Sequence, residues 1–276
     1  MPPELPGYRM AREDVRHTVG KPCHLLEYLS AKAGLDAEQV KRTAWEYCVG
    51  GWPEPGKYLG AAAFWQVDRA GQVRTAKVVQ YDPSNGHRVK GAASWAHALA
   101  GGIPEGFRLD QCLFGEHLLD KYPEAPVGIV EAEKTALVAR LLVPSVLWLA
   151  VGGLGELKLS KLLPLAGRHV TLWPDLGKGF TEWSAKASEL APLFTSLKVA
   201  DLLERVATDA EREQGLDLAD YLLSRSAEEQ VMPKAPPPER IAAEVLAFMQ
   251  RHPACQVLAD EVDMDLSAAI VQPLPA

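Results

Sequence analysis

The sequence predicts an α/β protein: a parallel sheet with helices on both faces, preceded by a small helical and antiparallel β region. Two observations carry this expectation. From Val127 onward, short apolar segments alternate with helical segments of about ten residues, the rhythm that successive βαβ crossovers impose. Upstream, two strand-like segments between Ala61 and Asp82 flank a short turn, which is the pattern of a hairpin.

In chain order, Leu25, Leu26 and Leu29, then Val40, Ala44 and Tyr47, fall at helical spacing, with Gly34 breaking the run into two helices. The segments AAAFWQVD and QVRTAKVVQYD follow as strands joined through DRAG. Pro83, Asn85 and Gly86 make DPSNGHRVKG a loop. The alternation then reads VGIVE (strand), KTALVARLL (helix), VLWLAV (strand), LKLSKLLPL (helix), RHVTLWPD (strand) and FTEWSAKASEL (helix), with a shorter strand at 195–199. DLLERVATDAEREQG and DLADYLLSRSAEEQ are predicted helical. PKAPPPE at 233–239 is a stiff linker, and RIAAEVLAFMQRH beyond it is an amphipathic helix with Ile241, Val245, Leu246 and Met249 on one side. Three regions result: 1–124 (helical and antiparallel β), 125–225 (parallel α/β) and 226–276 (linker and helical tail).

With 276 residues, 47% of them hydrophobic and 24% charged, the chain has enough apolar surface for a real core, and a disordered or fibrous class is excluded. The longest apolar stretch, Leu141 to Leu154, is broken by Pro144, Gly152 and Gly153 and is too short to span a bilayer, so no membrane association is expected. The first residues carry no apolar h-region behind a basic start, and the expected location is cytoplasmic. Cys23, Cys48, Cys112 and Cys255 stand far apart without a CxxC pair, which predicts reduced thiols and no zinc site. Charge is uneven. Residues 1–125 hold 15 basic and 15 acidic side chains, whereas the segment from Ser226 onward has net charge −5 of the chain's −7. A general basic coat for nucleic acid is absent, so any such contact must come from local clusters.

In a parallel α/β sheet, ligands gather beyond the carboxyl ends of the strands. Here those ends are mostly acidic: the first strand ends in Glu131, in IVEAEKTAL, and the third in Asp175, in LWPDLGKG, while a further acidic pair, Asp217 and Asp220, sits in GLDLADYLL. Carboxylates converging from separate strand ends make a hard-oxygen site for Mg²⁺ or Mn²⁺. Each has a plainer alternative: Glu133 and Lys134 as cap and solvated face of the next helix, Asp175 as an Asx turn, Asp217 as an N-cap. Lys134, Arg168 and Lys178 flank these ends as candidate phosphate contacts. Arg74 and Lys77 on the second hairpin strand, with Arg88 and Lys90 just beyond it, either meet phosphate or coat a solvated face; the odd spacing of Arg74 and Lys77 sends them to opposite faces. The glycines of GGLGELK lack the spacing of a P-loop and read as a tight turn. Trp65, Trp95, Trp148 and Trp173 sit in apolar runs that favour the core over base stacking.

Taken in order, the acids resemble the toprim domain of primases, topoisomerases and related nucleases. That family has a strand ending in Glu, a later strand ending in Asp-x-Asp, and often a third motif xDxxD. Glu131 in VEAEKTA matches the first, Asp175 the first acid of the second, and Asp217 with Asp220 the third; Gly177 stands where the second acid of Asp-x-Asp would be. A closer resemblance covers nearly the whole chain, to an uncharacterised toprim-like family encoded on bacterial mobile elements, through FWQVDRAGQVRTAKVVQYD, QCLFGEHLL, VEAEKTALVA, VGGL, GRHVTLWPDLGKGFTEWSAKA and LDLADYLL. The resemblance implies a toprim-like fold and a DNA-replication or mobilisation role. The leading expectation is a primase-like, metal-dependent nucleotidyltransferase, or a remnant of one, acting on DNA. Glu131, Asp175, Asp217 and Asp220 would hold Mg²⁺ or Mn²⁺, with Glu131 and Asp175 as the catalytic pair. Its partners would be single-stranded DNA, nucleotides and, through the tail helix, a replication or mobilisation protein. A non-catalytic accessory module and a toprim-type nuclease are the alternatives.

Overall fold

The computed structural model describes residues 5–231, with side chains through Ser224. The expected proline linker and tail helix lie outside the described residues. Both sheets belong to one compact unit, Met1–Ala227.

The N-terminal part opens with helices α1 (Arg12–Thr18), α2 (His24–Ala31) and α3 (Ala37–Glu46). The Asp36 carboxylate accepts the Gln39 N–H at 2.7 Å and so starts α3. Four antiparallel strands follow in spatial order β1 (Val49–Gly51), β2 (Ala62–Val67), β3 (Val73–Tyr81) and β4 (Arg88–Trp95), with the short helix α4 (Ala96–Leu99) after them. The β2–β3 hairpin falls where the sequence places it. The strand β4 begins inside the segment expected to be loop, because its first three residues are exposed and charged or isolated, without an alternating apolar signal. An edge strand bearing Arg88 and Lys90 is a common way to keep a sheet edge soluble.

The second sheet is parallel, in the order β6 (Leu147–Ala150), β5 (Val127–Val130), β7 (His169–Trp173), β8 (Ser196–Val199). Helix α5 (Glu133–Leu142) connects β5 to β6, α6 (Leu159–Leu162) lies between β6 and β7, and α7 (Lys178–Leu190) connects β7 to β8. Because the chain steps one way from β5 and the other way from β6, right-handed crossovers put α5 on one face and α6 and α7 on the other. This is the α/β fold class expected from the sequence. Two helices are shorter than their sequence pattern. Pro164 limits α6 to four residues followed by a 3₁₀ turn. The segment after β8 splits into α8 (Leu202–Val206) and α9 (Asp209–Gln214), because Thr208 starts a new helix in a reciprocal capping box with Glu211. Helix α10 (Leu218–Val231) completes the described chain.

The larger hydrophobic cluster runs under both sheets, from Leu25, Phe64 and Tyr81 to Ile129, Leu149, Leu172 and Trp183, while a smaller one around Trp65, Val73 and Val78 packs on the antiparallel sheet. The segment around Phe114 joins the two sheets: its backbone pairs with Ala150 of β6 in both directions, at 2.9 and 3.2 Å, while its ring packs edge-on to Phe64 of β2 at 5.6 Å. Trp65 and Trp148 are buried, as their apolar surroundings imply.

Candidate active site

Between β5 and β7 the strand order reverses, and in open α/β sheets the crevice beyond that switch point is where ligands bind. Val130 and Trp173 are register partners, so Glu131, one residue past β5, and Asp175, two residues past β7, meet across this crevice. The Asp175 N–H donates to Glu131 Oε1 at 3.2 Å. Glu131 is 7% exposed. A side chain at Gly179, in the first turn of α7, would come within 2.3 Å of that same oxygen, so glycine there is what lets the helix approach the carboxylate.

The carboxyl oxygen Asp175 Oδ1 is buried and accepts no hydrogen bond. Burial, reinforced by the carboxylates of Glu131, Asp217 and Asp220 and opposed by Lys134, pushes the Asp175 carboxyl up to about 8. Burial also raises Glu131, against the Asp175 N–H, with Glu182 and Asp217 adding to the rise. Two acids with impaired ionisation in a crevice are a functional-site signature.

Asp217 and Asp220 form a different arrangement at the same rim. Asp217 Oδ1 accepts the Asp220 N–H at 2.9 Å, and Asp220 Oδ2 accepts the Asp217 N–H at 3.4 Å, which caps α10 reciprocally. Asp217 Oδ2 accepts from the Thr135 hydroxyl at 2.8 Å, and Lys134 Nζ donates to Asp220 Oδ1 at 3.2 Å. All four oxygens are therefore engaged, tying α10 to the start of α5. Burial alone would lower the Lys134 ammonium; Asp217 and Asp220 hold it above its usual value.

The other basic candidates separate. Lys77 does face this rim, but its ammonium donates to Glu133 Oε2 at 3.0 Å and to the Gly152 carbonyl at 2.8 Å. Arg74 lies elsewhere, on Asp68 at 2.6 Å and near Asp110 at 3.8 Å, in keeping with the opposite faces their spacing demands. Arg168 does not flank the acidic strand ends. It precedes β7, at the opposite end of the sheet, and donates to the carbonyls of Tyr122 and Ala125 at 2.8 Å each, because a strand's first residue and the residues after its last lie at opposite rims. Lys178 opens α7 with a 77% exposed side chain that pairs with Glu182 at 3.5 Å. Arg88 and Lys90 are exposed on the edge strand.

Gly177 is more than a missing acid. Its backbone has φ +71° and ψ −101°, a conformation that L side chains rarely adopt, and its N–H donates to Glu204 Oε1 of α8 at 2.6 Å. Glu204 is pulled below the usual carboxylate range by Arg212 and by that N–H. Sequence reasoning missed Glu204, which no local pattern marks. The plainer alternative for Glu133, a cap facing solvent, does not hold: the side chain is 3% exposed and Oε1 accepts no hydrogen bond. Among the described residues, no three His, Cys, Asp or Glu side chains are grouped as a metal cage, and no helix is long and apolar enough to cross a membrane.

No curated protein matches the sequence. Solved structures similar to this chain include the Aquifex aeolicus primase, zinc-binding and RNA polymerase domains (13% identity, TM-score 0.47, 76% of this chain and 57% of that one). A DnaG catalytic core (16%, TM-score 0.47, 92% and 95%) and a DnaG primase catalytic domain bound to single-stranded DNA (15%, TM-score 0.45, 86% of each chain) are also similar. This chain thus spans little more than half the length of the first. The sequence matches a family model over residues 23–176, which is more than half of the chain and includes both Glu131 and Asp175. By that match the chain belongs to the family described as a domain of unknown function (DUF6371).

Proposed function

We propose that the protein is a primase-like nucleotidyltransferase acting on DNA, with a role in mobile-element replication or mobilisation, and that its centre is the Glu131–Asp175 pair. One observation carries this reading: a buried carboxyl oxygen of Asp175 without a partner, set beside a second buried carboxylate at the sheet's switch point. Such a group destabilises the protein unless a ligand completes it.

The donor set fits a hard divalent cation held by few protein ligands. Mg²⁺ is commonly bound through one or two carboxylates, with water and substrate phosphates supplying the rest, so a cage of three or more side chains is not required. Glu131 and Asp175 would hold it. Asp217 and Asp220, whose oxygens are engaged by Thr135, Lys134 and each other, would frame the site rather than bind the ion. A bound cation would lower the pKa of an attacking hydroxyl and offset charge on a triphosphate. Without it, Asp175 retains its proton near neutral pH, which spares the crevice a second buried charge. Lys178 at the rim, and Arg88 and Lys90 on the edge of β4, are exposed cations that would meet phosphates of nucleotide or single-stranded DNA.

Calorimetric titration of Mn²⁺ and Mg²⁺, with and without NTP, into the wild type, Glu131→Gln and Asp175→Asn tests the reading. Saturable binding abolished by both substitutions is expected, followed by NTP-dependent primer synthesis on single-stranded DNA. Cleavage of DNA without NTP would identify a nuclease instead. Gly177 favours a second reading, a DNA-binding accessory module with a degenerate site, and absence of metal binding in the wild type would select it.

A further inference from the structure

Lys77 holds the two segments that flank Glu131. Its Nζ donates to Glu133 Oε2, two residues beyond Glu131 at the start of α5, and to the carbonyl of Gly152, two residues past β6. Gly152 in turn donates its own N–H to the Glu131 carbonyl at 2.9 Å, beside the Val151 N–H on the Val130 carbonyl at 3.1 Å. The peptide that carries the Glu131 side chain is thus gripped from both sides through one ammonium, which arrives from β3 in the other sheet. The pair is scarcely solvated, with Lys77 16% and Glu133 3% exposed. Gly152 has φ +97°, a conformation that favours glycine, and a Cβ there would crowd Glu133 Oε1 at 3.3 Å.

We infer that Lys77 is a positioning residue: acting through Glu133 and Gly152, it fixes the Glu131 carboxylate against Asp175 and couples the antiparallel sheet to the acidic rim. The inference rests on the reading of Glu131 and Asp175 as the centre, and it assigns Lys77 no contact with substrate. Partners that orient a ligating carboxylate typically change metal affinity by about 10- to 100-fold when removed.

The test uses the full chain as wild type, Lys77→Met, Glu133→Gln and the double variant. Mn²⁺ affinity is measured by calorimetry, hydrogen exchange of the Asp175 amide by NMR, and the thermal midpoint serves as control. Lys77→Met is expected to weaken Mn²⁺ binding about tenfold and to speed exchange of the Asp175 amide, whose acceptor is Glu131. The double variant should lose no more than Lys77→Met alone, since both act along one path. If Lys77→Met does not fold, the double variant, which buries no unpaired charge, is expected to show the same tenfold weakening. Wild-type affinity and wild-type Asp175 protection in a variant with a lowered midpoint would mean a merely structural lysine and would overturn the inference, as would losses that multiply independently. If the wild type binds no Mn²⁺, the metal reading fails by itself, and Asp175 exchange alone decides the role of Lys77.

Discussion

Asp175 and Asp217 stand at the same rim of the same sheet, yet one has a buried oxygen with no donor and the other has both oxygens engaged. Asp217 completes a helix cap and a hydroxyl contact, the ordinary stabilising uses of a carboxylate. Asp175 is left beside Glu131 in a place where its charge is disfavoured. Acids that converge at one rim thus differ in state: Asp175 keeps a buried oxygen without a donor, whereas both oxygens of Asp217 are held.

Removal of the two acids should change stability with opposite signs. Asp217→Ala forfeits the α10 cap and the Thr135 hydrogen bond and should lower unfolding free energy by about 2–3 kcal/mol in urea. Asp175→Asn should instead stabilise the metal-free protein above pH 7. An equal loss in both variants would erase the distinction.

A second effect, on the order of a few kcal/mol, should appear in pH dependence. Asp175 is raised from the ordinary carboxylate range to about 8, so between about pH 4 and pH 8 the folded protein keeps a proton that the unfolded chain has released. Its contribution to stability therefore falls as pH rises through that window and levels off above it. Denaturation curves at pH 5 and pH 9 in metal-free buffer should show a steeper fall in wild type than in Asp175→Asn, where Glu131, also raised by burial, still contributes.

Two basic residues have smaller expected effects. Arg168→Ala should cost about 1 kcal/mol by freeing the Tyr122 and Ala125 carbonyls, with Mn²⁺ affinity unchanged, because it lies at the far end of the sheet. A changed affinity would contradict that placement. Lys178→Ala should alter stability by less than about 0.5 kcal/mol, since its pair with Glu182 is exposed, while weakening nucleotide affinity in the presence of Mn²⁺.

Much of the fold was legible because its signals are local. The apolar alternation from Val127, the break at Gly34 and the β2–β3 hairpin each follow from residues close together in sequence. Strand β4 was not legible: an exposed edge strand gains its hydrogen bonds from β3 and has little apolar pattern of its own.

The sequence by itself determined the α/β class, the order of the strands along the chain and the acids that end them, because periodicity and strand-end chemistry are written in neighbouring residues. Only the tertiary structure decided which partners those acids find. Whether a carboxylate is satisfied depends on donors distant in sequence: Thr135 for Asp217, Lys134 for Asp220, Lys77 for Glu133 and Gly177 for Glu204. It equally decided that Arg168 faces away from the rim, since the end of a strand to which a residue belongs acquires a meaning only once the strands lie side by side.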